Sequence, residues 1–154
     1  MDIIKYKLEL DNARNGVVVK ESGYSYRDNP LTSPESITSM MNQLFRLNYQ
    51  AEEYVYLLCF DSAMHPLGVF EVSHGAFNYA SVGIREVFSK ALLLCSTSIV
   101  LVHNHPSGRI NPSDDDKKLL QNLKDASNLL GVSLVDFIIV GGDEFFSAKA
   151  EGMI

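Results

Sequence analysis

Apolar and polar residues alternate over residues 2–10, which predicts a half-buried β-strand at the start of the chain. An Asn-Gly pair at Asn15 and Gly16 indicates a turn, and the apolar residues after it predict a second strand over residues 17–21. The polar and aromatic segment from residue 23 to residue 30 predicts a loop or a short irregular strand. We therefore expect the chain to open with a β-hairpin.

Apolar residues recur at helical spacing in three later segments, each with a start or stop signal. Thr32 or Ser33 can cap the first helix, and Pro34 suits its first turn. Glu35 stands three residues after Thr32, as in a capping box. The expected helices begin near Ser33 and end near Asn48, run from Gly83 to Ser96, and run from Ser113 to Gly131.

Apolar runs with the length of strands stand between and after these helices. Unbroken runs of this kind are typical of strands that are covered on both faces of a sheet. The expected strands cover residues 54–61, 67–72, 99–102, 132–140 and 144–147. This order of elements predicts a mixed α/β fold, in which helices pack on a mixed β-sheet. We divide the chain into an N-terminal β-hairpin extension, residues 1–31, and one domain, residues 32–154.

The composition is typical of a soluble protein with a single core. The chain has 154 residues, of which 46% are hydrophobic and 21% charged. No apolar run reaches the ~18 residues that cross a bilayer. Residues 1–20 contain no apolar signal-peptide segment, so we expect a cytoplasmic protein without membrane contact. A net charge of −6 without a dense Lys/Arg patch makes direct nucleic-acid binding unfavourable, because the phosphate backbone is also negative.

The two cysteines do not carry candidate chemistry. Cys59 and Cys95 each lie in an apolar segment, and their spacing fits neither a metal site nor a disulfide scaffold. We expect both to be buried free thiols.

The candidate chemistry follows the third predicted strand of the domain, in the sequence His103-Asn104-His105-Pro106-Ser107-Gly108. His103 and His105 are two residues apart, so extended backbone points both imidazoles to the same side. Proline and glycine then force the chain out of the sheet, and Ser113 caps the next helix. Asp116, the third residue after Ser113, points back toward the loop.

Each of these residues also has an ordinary structural explanation. A histidine at a strand end, a Pro-Ser-Gly turn and aspartates in the first turn of a helix are common without any metal. Together they indicate more, because two imidazoles and one carboxylate leave a fourth zinc position for water, which is the catalytic pattern. A base must also reach that water. Glu52, Glu53 and Glu71 lie at the ends of neighbouring predicted strands, and spacing alone leaves the choice among them open.

The spacing of His103-x-His105, Ser113 and Asp116 resembles the JAMM metal motif of the JAB/MPN metalloprotease superfamily. The wording His-Asn-His-Pro-Ser-Gly is similar to the RadC-like bacterial branch of that superfamily. The resemblance covers roughly residues 33–150. Supporting similarities lie at Glu53–Leu58, Gly75, Arg85–Phe88, Ala91, Leu130–Val132 and Asp136–Gly141.

This resemblance implies a curved mixed sheet flanked by helices, with cytidine-deaminase-like layering, and a zinc-dependent hydrolase that cleaves a peptide or isopeptide bond. His103, His105 and Asp116 would be the zinc ligands, and Ser113 would stabilise the oxyanion. The base would be Glu53, because it precedes its strand as the family's glutamate does; Glu71 and then Glu52 are the next choices. The substrate would be a peptide or protein that the sequence does not identify.

The chain departs from the RadC-like pattern in three places. Nothing in it resembles the N-terminal helix-hairpin-helix region that is associated with DNA in that branch. Phe137 stands where the last strand commonly has histidine after aspartate, and Ile84 where proline commonly precedes Arg85. The alternative function is an accessory or binding module in DNA processing or mobile-element biology. Inactive members of the superfamily typically lose a ligand, and this chain keeps all three, which favours the enzyme.

Overall fold

The protein is described here by a computed structural model, which covers residues 1–75 and 82–154. The strands are β1 Asp2–Leu10, β2 Gly16–Ser25, β3 Glu53–Phe60, β4 Pro66–Gly75, β5 Ser98–Asn104, β6 Ser133–Gly141 and β7 Glu144–Ser147. The helices are α1 Pro34–Phe45, α2 Ile84–Leu93 and α3 Asp114–Leu130, and a short 3₁₀ turn covers Leu47–Tyr49. The predicted mixed α/β fold with an N-terminal β-hairpin is confirmed.

The seven strands in the described ranges belong to one sheet, in the order β2-β1-β4-β3-β5-β6-β7. The sheet is mixed, because β1 runs parallel to β4 and β5 parallel to β6, whereas the other neighbours are antiparallel. The hairpin joins the sheet where Lys5 and Tyr6 pair with Val69 and Phe70. Since β3 and β5 are antiparallel, the first residues of β3 and the last residues of β5 meet at one edge of the sheet.

Helices cover both faces of the central strands. Along β3, Leu57 and Cys59 face the core under α2 and α3, whereas Leu58 and Phe60 face the core under α1. These four side chains are almost completely buried, and each large apolar side chain contributes about 1.5–3 kcal/mol to folding. The nearly unbroken apolar run of β3 is therefore explained by burial on both faces.

The helix ends follow local hydrogen bonding. Ser33, rather than Thr32, caps α1, and its partner in the capping box is Ser36 instead of Glu35. The helix also ends at Phe45, earlier than predicted, because Arg46 adopts a left-handed conformation with φ of 50°. At the end of α3, Gly131 adopts the left-handed conformation that its stop signal predicts, with φ of 68°.

The strand β2 continues to Ser25, which agrees with the short strand that the sequence offered as the alternative to a loop, because this segment pairs with β1 as far as Asp2. One local prediction was wrong. Cys95 is exposed instead of buried, since it lies beyond the end of α2 in a left-handed conformation with φ of 54° and leaves the apolar stripe. Cys59 is buried as expected, and both thiols are free.

Over the ranges that the structure describes, none of the helices combines the length and the apolar character that spanning a membrane requires.

Candidate metal centre

Four side chains from three separate parts of the fold meet at the edge where β5 ends. His103 lies at the end of β5, His105 follows that strand, Glu53 begins β3, and Asp116 lies in the first turn of α3. Each offers one nitrogen or oxygen atom, and these four atoms all lie within 4.8 Å of one another. The structure therefore brings together the three predicted ligands and the first-choice base.

The Asp116 carboxylate lies between the two imidazoles. Its Oδ1 is 3.2 Å from Nε2 of His103, and its Oδ2 is 3.1 Å from Nε2 of His105. Glu53 approaches from the sheet, with Oε1 3.1 Å from Nδ1 of His103 and 4.0 Å from Nε2 of His105. The two carboxylates thus face the imidazole pair from different elements.

The orientation of His105 is set by the loop that follows it. Its Nδ1 lies 2.8 Å from the carbonyl oxygen of Arg109, which can only accept a hydrogen bond. The proton of the neutral ring therefore belongs on Nδ1, and the lone pair of Nε2 points toward Asp116.

Ser113 is connected to the cluster through Asp116. The backbone N–H of Ser113 donates to Oδ2 of Asp116 at 2.8 Å, and the backbone N–H of Asp116 donates to Oγ of Ser113 at 3.1 Å. This reciprocal pair is the capping box of α3. Because Oγ accepts in this arrangement, the hydroxyl proton of Ser113 stays available to another acceptor.

The two other candidate glutamates are engaged elsewhere. Glu71 lies opposite Tyr56, which packs into the core under α1, and its carboxylate is 3.7 Å from Nζ of Lys5. Glu52 pairs with Nε2 of His74. Neither carboxylate belongs to the cluster. The structure therefore distinguishes Glu53 from Glu52 and Glu71, which the spacing in the sequence could not do.

A family model described as the RadC-like JAB domain matches residues 31–153. The chain belongs to the RadC-like JAB domain family. It is similar to three UPF0758 proteins: 35% identical over 128 residues to that of Clostridium beijerinckii, 36% over 121 residues to that of Desulforudis audaxviator, and 34% over 122 residues to that of Methanosarcina barkeri. These alignments cover 82%, 79% and 79% of this chain but 55%, 52% and 52% of the relatives, so the chain spans about half their length.

The charges of this RadC-like site favour an ion pair when no metal is bound. Burial opposes protonation of His103, but the Asp116 and Glu53 carboxylates beside it outweigh that effect and raise the pKa of His103. Burial also opposes ionisation of Asp116, yet His103, His105 and the Ser113 amide hold the pKa of Asp116 well below its usual range. A cation that replaces the imidazole proton would meet a carboxylate that is already ionised.

The walls of the RadC-like site hold the imidazoles in place. The ring of Phe137 on β6 packs edge-to-face against His103, with 5.4 Å between ring centroids. Phe137 occupies the position where the RadC-like pattern commonly has histidine, so in this chain His103 is supported by aromatic packing. Gly141, at the end of β6, has no side chain and allows the loop after His105 to approach closely.

The donor set fits a borderline metal ion such as zinc. Nε2 of His103 is buried, and its contact with Oδ1 of Asp116 at 3.2 Å lacks the geometry of a well-formed hydrogen bond. A buried nitrogen without a partner is costly unless something else occupies that direction. Two imidazole nitrogens and a carboxylate oxygen are the ligand types that zinc uses in catalytic sites. The RadC-like domain thus contains a possible metal-binding cluster.

Sequence reasoning missed one member of this region, Asn104. Its side chain is buried and hydrogen-bonded to the backbone beside Glu53. The available signal was an amide between two histidines at the end of a strand, a polar residue that must find partners once it is buried.

Proposed function

We propose that this domain is a zinc-dependent hydrolase that cleaves a peptide or isopeptide bond with metal-activated water. The convergence of Glu53 on His103, His105 and Asp116 carries the proposal. Three of these side chains suffice as protein ligands, and a catalytic zinc site also needs a base near the remaining position. Membership of the RadC-like JAB domain family supports it.

His103, His105 and Asp116 would hold the metal. Bound zinc would lower the pKa of a water molecule and polarise the substrate carbonyl. The Ser113 N–H fixes the Asp116 carboxylate as a ligand at the start of α3. The Arg109 carbonyl keeps the proton of His105 on Nδ1, so that Nε2 stays free to coordinate.

Glu53 would act as the base. Its carboxylate comes from β3, outside the ligand loop and helix, and it lies on the same side of the sheet as His103. In this role it takes the proton of the water and returns it to the leaving amine. Ser113 would donate a hydrogen bond from its hydroxyl to the developing oxyanion, while its Oγ keeps accepting from the N–H of Asp116.

Metal content and hydrolysis together test this function. The wild type and a His103→Ala variant are purified without added metal and analysed for bound metals by mass spectrometry. Both are then incubated with a peptide library and an isopeptide-linked substrate in water labelled with heavy oxygen. We expect zinc in the wild type alone, and a labelled carboxylate in its products.

Two results would contradict the proposal. A wild type that holds no divalent metal would remove the centre itself. A zinc-loaded wild type that leaves all amide and isopeptide bonds intact would favour the accessory or binding module.

A further inference from the structure

The backbone ladder between β3 and β5 ends two residues before the candidate base, Glu53. Its last pair is Val55 with His103, and the next would join Tyr54 to Asn104. There, the side chain of Asn104 takes over from the backbone. Its Oδ1 accepts a hydrogen bond from the N–H of Tyr54 at 2.8 Å, and its Nδ2 donates to the carbonyl oxygen of Glu52 at 2.9 Å.

This exchange has a physical reason in the path of β5. The N–H of His105 donates to the carbonyl oxygen of Val140 on β6 at 2.8 Å, so β5 stays bonded to β6 beyond the point where its backbone pairing with β3 ends. The first residues of β3 therefore have no backbone partner on β5. The side-chain amide of asparagine has the same donor and acceptor groups as a peptide unit and can take its place.

Glu53 lies between the two residues that Asn104 binds. The Asn104 amide binds the N–H of Tyr54, which follows Glu53, and the carbonyl of Glu52, which precedes Glu53. Its Nδ2 also makes a longer contact of 3.5 Å with the carbonyl oxygen of Gln50. Asn104 itself is only 2% exposed. Water therefore cannot easily replace its hydrogen bonds, and their loss would leave the start of β3 free to shift.

We propose that Asn104 is a positioning residue that fixes the backbone of Glu53, so that the carboxylate stays beside the metal ligands. This inference rests on the proposed function for its catalytic consequence, but not for its structural part. Serine is too short to reach both backbone groups, glutamine moves the amide by one methylene, and leucine offers neither donor nor acceptor.

The test compares zinc-loaded crystal structures and kinetics of the wild type, Asn104→Ala, Asn104→Leu and Glu53→Gln. In the Asn104 variants we expect the Glu53 carboxylate to move by about 1 Å, which lowers kcat on the order of 100-fold with KM little changed. Zinc affinity, measured by competition with a chelator, should stay near that of the wild type, because the amide bonds to none of the three ligand side chains. In the Glu53→Gln background, the Asn104→Ala change should lower kcat little further, since both act through one carboxylate.

Ser147→Ala is the matched control. Ser147 is buried, donates to Asp136 and accepts from the N–H of Ala150, so its loss removes a comparable pair of buried hydrogen bonds away from Glu53. We expect it to lower the melting temperature while leaving the Glu53 position and kcat unchanged.

Three outcomes would overturn the role of Asn104: a Glu53 carboxylate that stays in place in Asn104→Ala, an equal loss of kcat in Ser147→Ala, or a full further loss in the double variant. A zinc-loaded wild type without turnover would instead contradict the proposed hydrolase. The crystal structures would still decide whether Asn104 holds Glu53.

Discussion

A β-carbon placed on Gly141 would lie 2.5 Å from the carbonyl oxygen of Gly108, so β6 ends in close backbone contact with the loop after His105. Gly141→Ala should therefore displace that loop. The hydrogen bond from His105 to the Arg109 carbonyl would weaken, and we expect zinc affinity to fall on the order of 10- to 100-fold. Chelator competition measures this change.

Gly16→Ala is the corresponding control. A β-carbon there would meet Leu8 and Leu93 at 3.7 and 3.8 Å, which are ordinary van der Waals distances. It should leave zinc affinity unchanged. Normal zinc binding by Gly141→Ala would show that the loop can retreat without moving His105.

Glu53→Gln should abolish most hydrolysis while the protein keeps its zinc. The substitution removes the base but leaves His103, His105 and Asp116, so kcat is expected to fall about 10²- to 10⁴-fold. Glu71→Gln should retain kcat, because the Glu71 carboxylate forms an ion pair with Lys5 and its residue lies opposite Tyr56 in the sheet, outside the cluster. Steady-state kinetics on one substrate compares the two, and a larger loss in Glu71→Gln would reverse the assignment.

Ser113→Ala should lower both stability and turnover. Loss of the α3 cap costs about 1 kcal/mol, and loss of an oxyanion donor costs about 10²- to 10³-fold in kcat. Ser33→Ala removes the equivalent cap from α1, where Oγ accepts from the N–H of Ser36 at 3.2 Å. Thermal unfolding and kinetics separate the effects. If Ser33→Ala lowered kcat as much, the loss in Ser113→Ala would come from stability alone.

Asp136 is a buried structural carboxylate, and its replacement by alanine should destabilise the domain strongly. It is 2% exposed and accepts hydrogen bonds from the Ser147 hydroxyl at 2.6 Å and from the N–H groups of Phe137 and Lys149 at 2.7 and 3.0 Å. We expect a loss of about 2–4 kcal/mol in the free energy of unfolding. Urea denaturation measures it, and a loss below about 1 kcal/mol would show that the β6–β7 region holds without this anchor.

The two thiols should differ in reactivity with pH. Burial raises the pKa of the Cys59 thiol from 9.0 to about 11, whereas Cys95 is exposed. The raised pKa favours the folded state below pH 9, and this contribution is lost as the pH rises toward 11. At pH 8 a thiol reagent should label Cys95 alone until the protein is unfolded, as read by mass spectrometry; early labelling of Cys59 would contradict this burial.

The sequence predicted the parts of the site that are close in the chain. His103 and His105 follow from strand geometry, and Asp116 follows from its distance to a helix start. The base could not be chosen in this way, because Glu52, Glu53 and Glu71 all stand near strand ends. Which carboxylate faces the imidazoles depends on how the strands pair in the sheet. The register shift between Val55 and Tyr56 pairs Glu71 with Tyr56, on the face of the sheet away from the histidines.

Most elements of the fold were predictable because their signals are local. The long apolar runs, the α3 cap and the stop at Gly131 needed no tertiary information. The extension of β2 depends on pairing with β1, and the exposure of Cys95 depends on where α2 ends. The role of the Asn104 amide depends on a partner strand that lies fifty residues earlier in the chain.

The N-terminal hairpin lies almost wholly outside the segment that the family model matches, yet its β1 strand pairs with β4. Without it, β4 would be an open edge with free N–H and C=O groups, the kind of surface on which sheets of different molecules join and precipitate. The edge strand is then β2, which is less suited to pairing with another sheet. It carries the charged residues Lys20 and Glu21, and its ladder with β1 skips Glu21, which marks a β-bulge. We therefore expect a shortened protein that begins at residue 31 to aggregate more readily than residues 1–154.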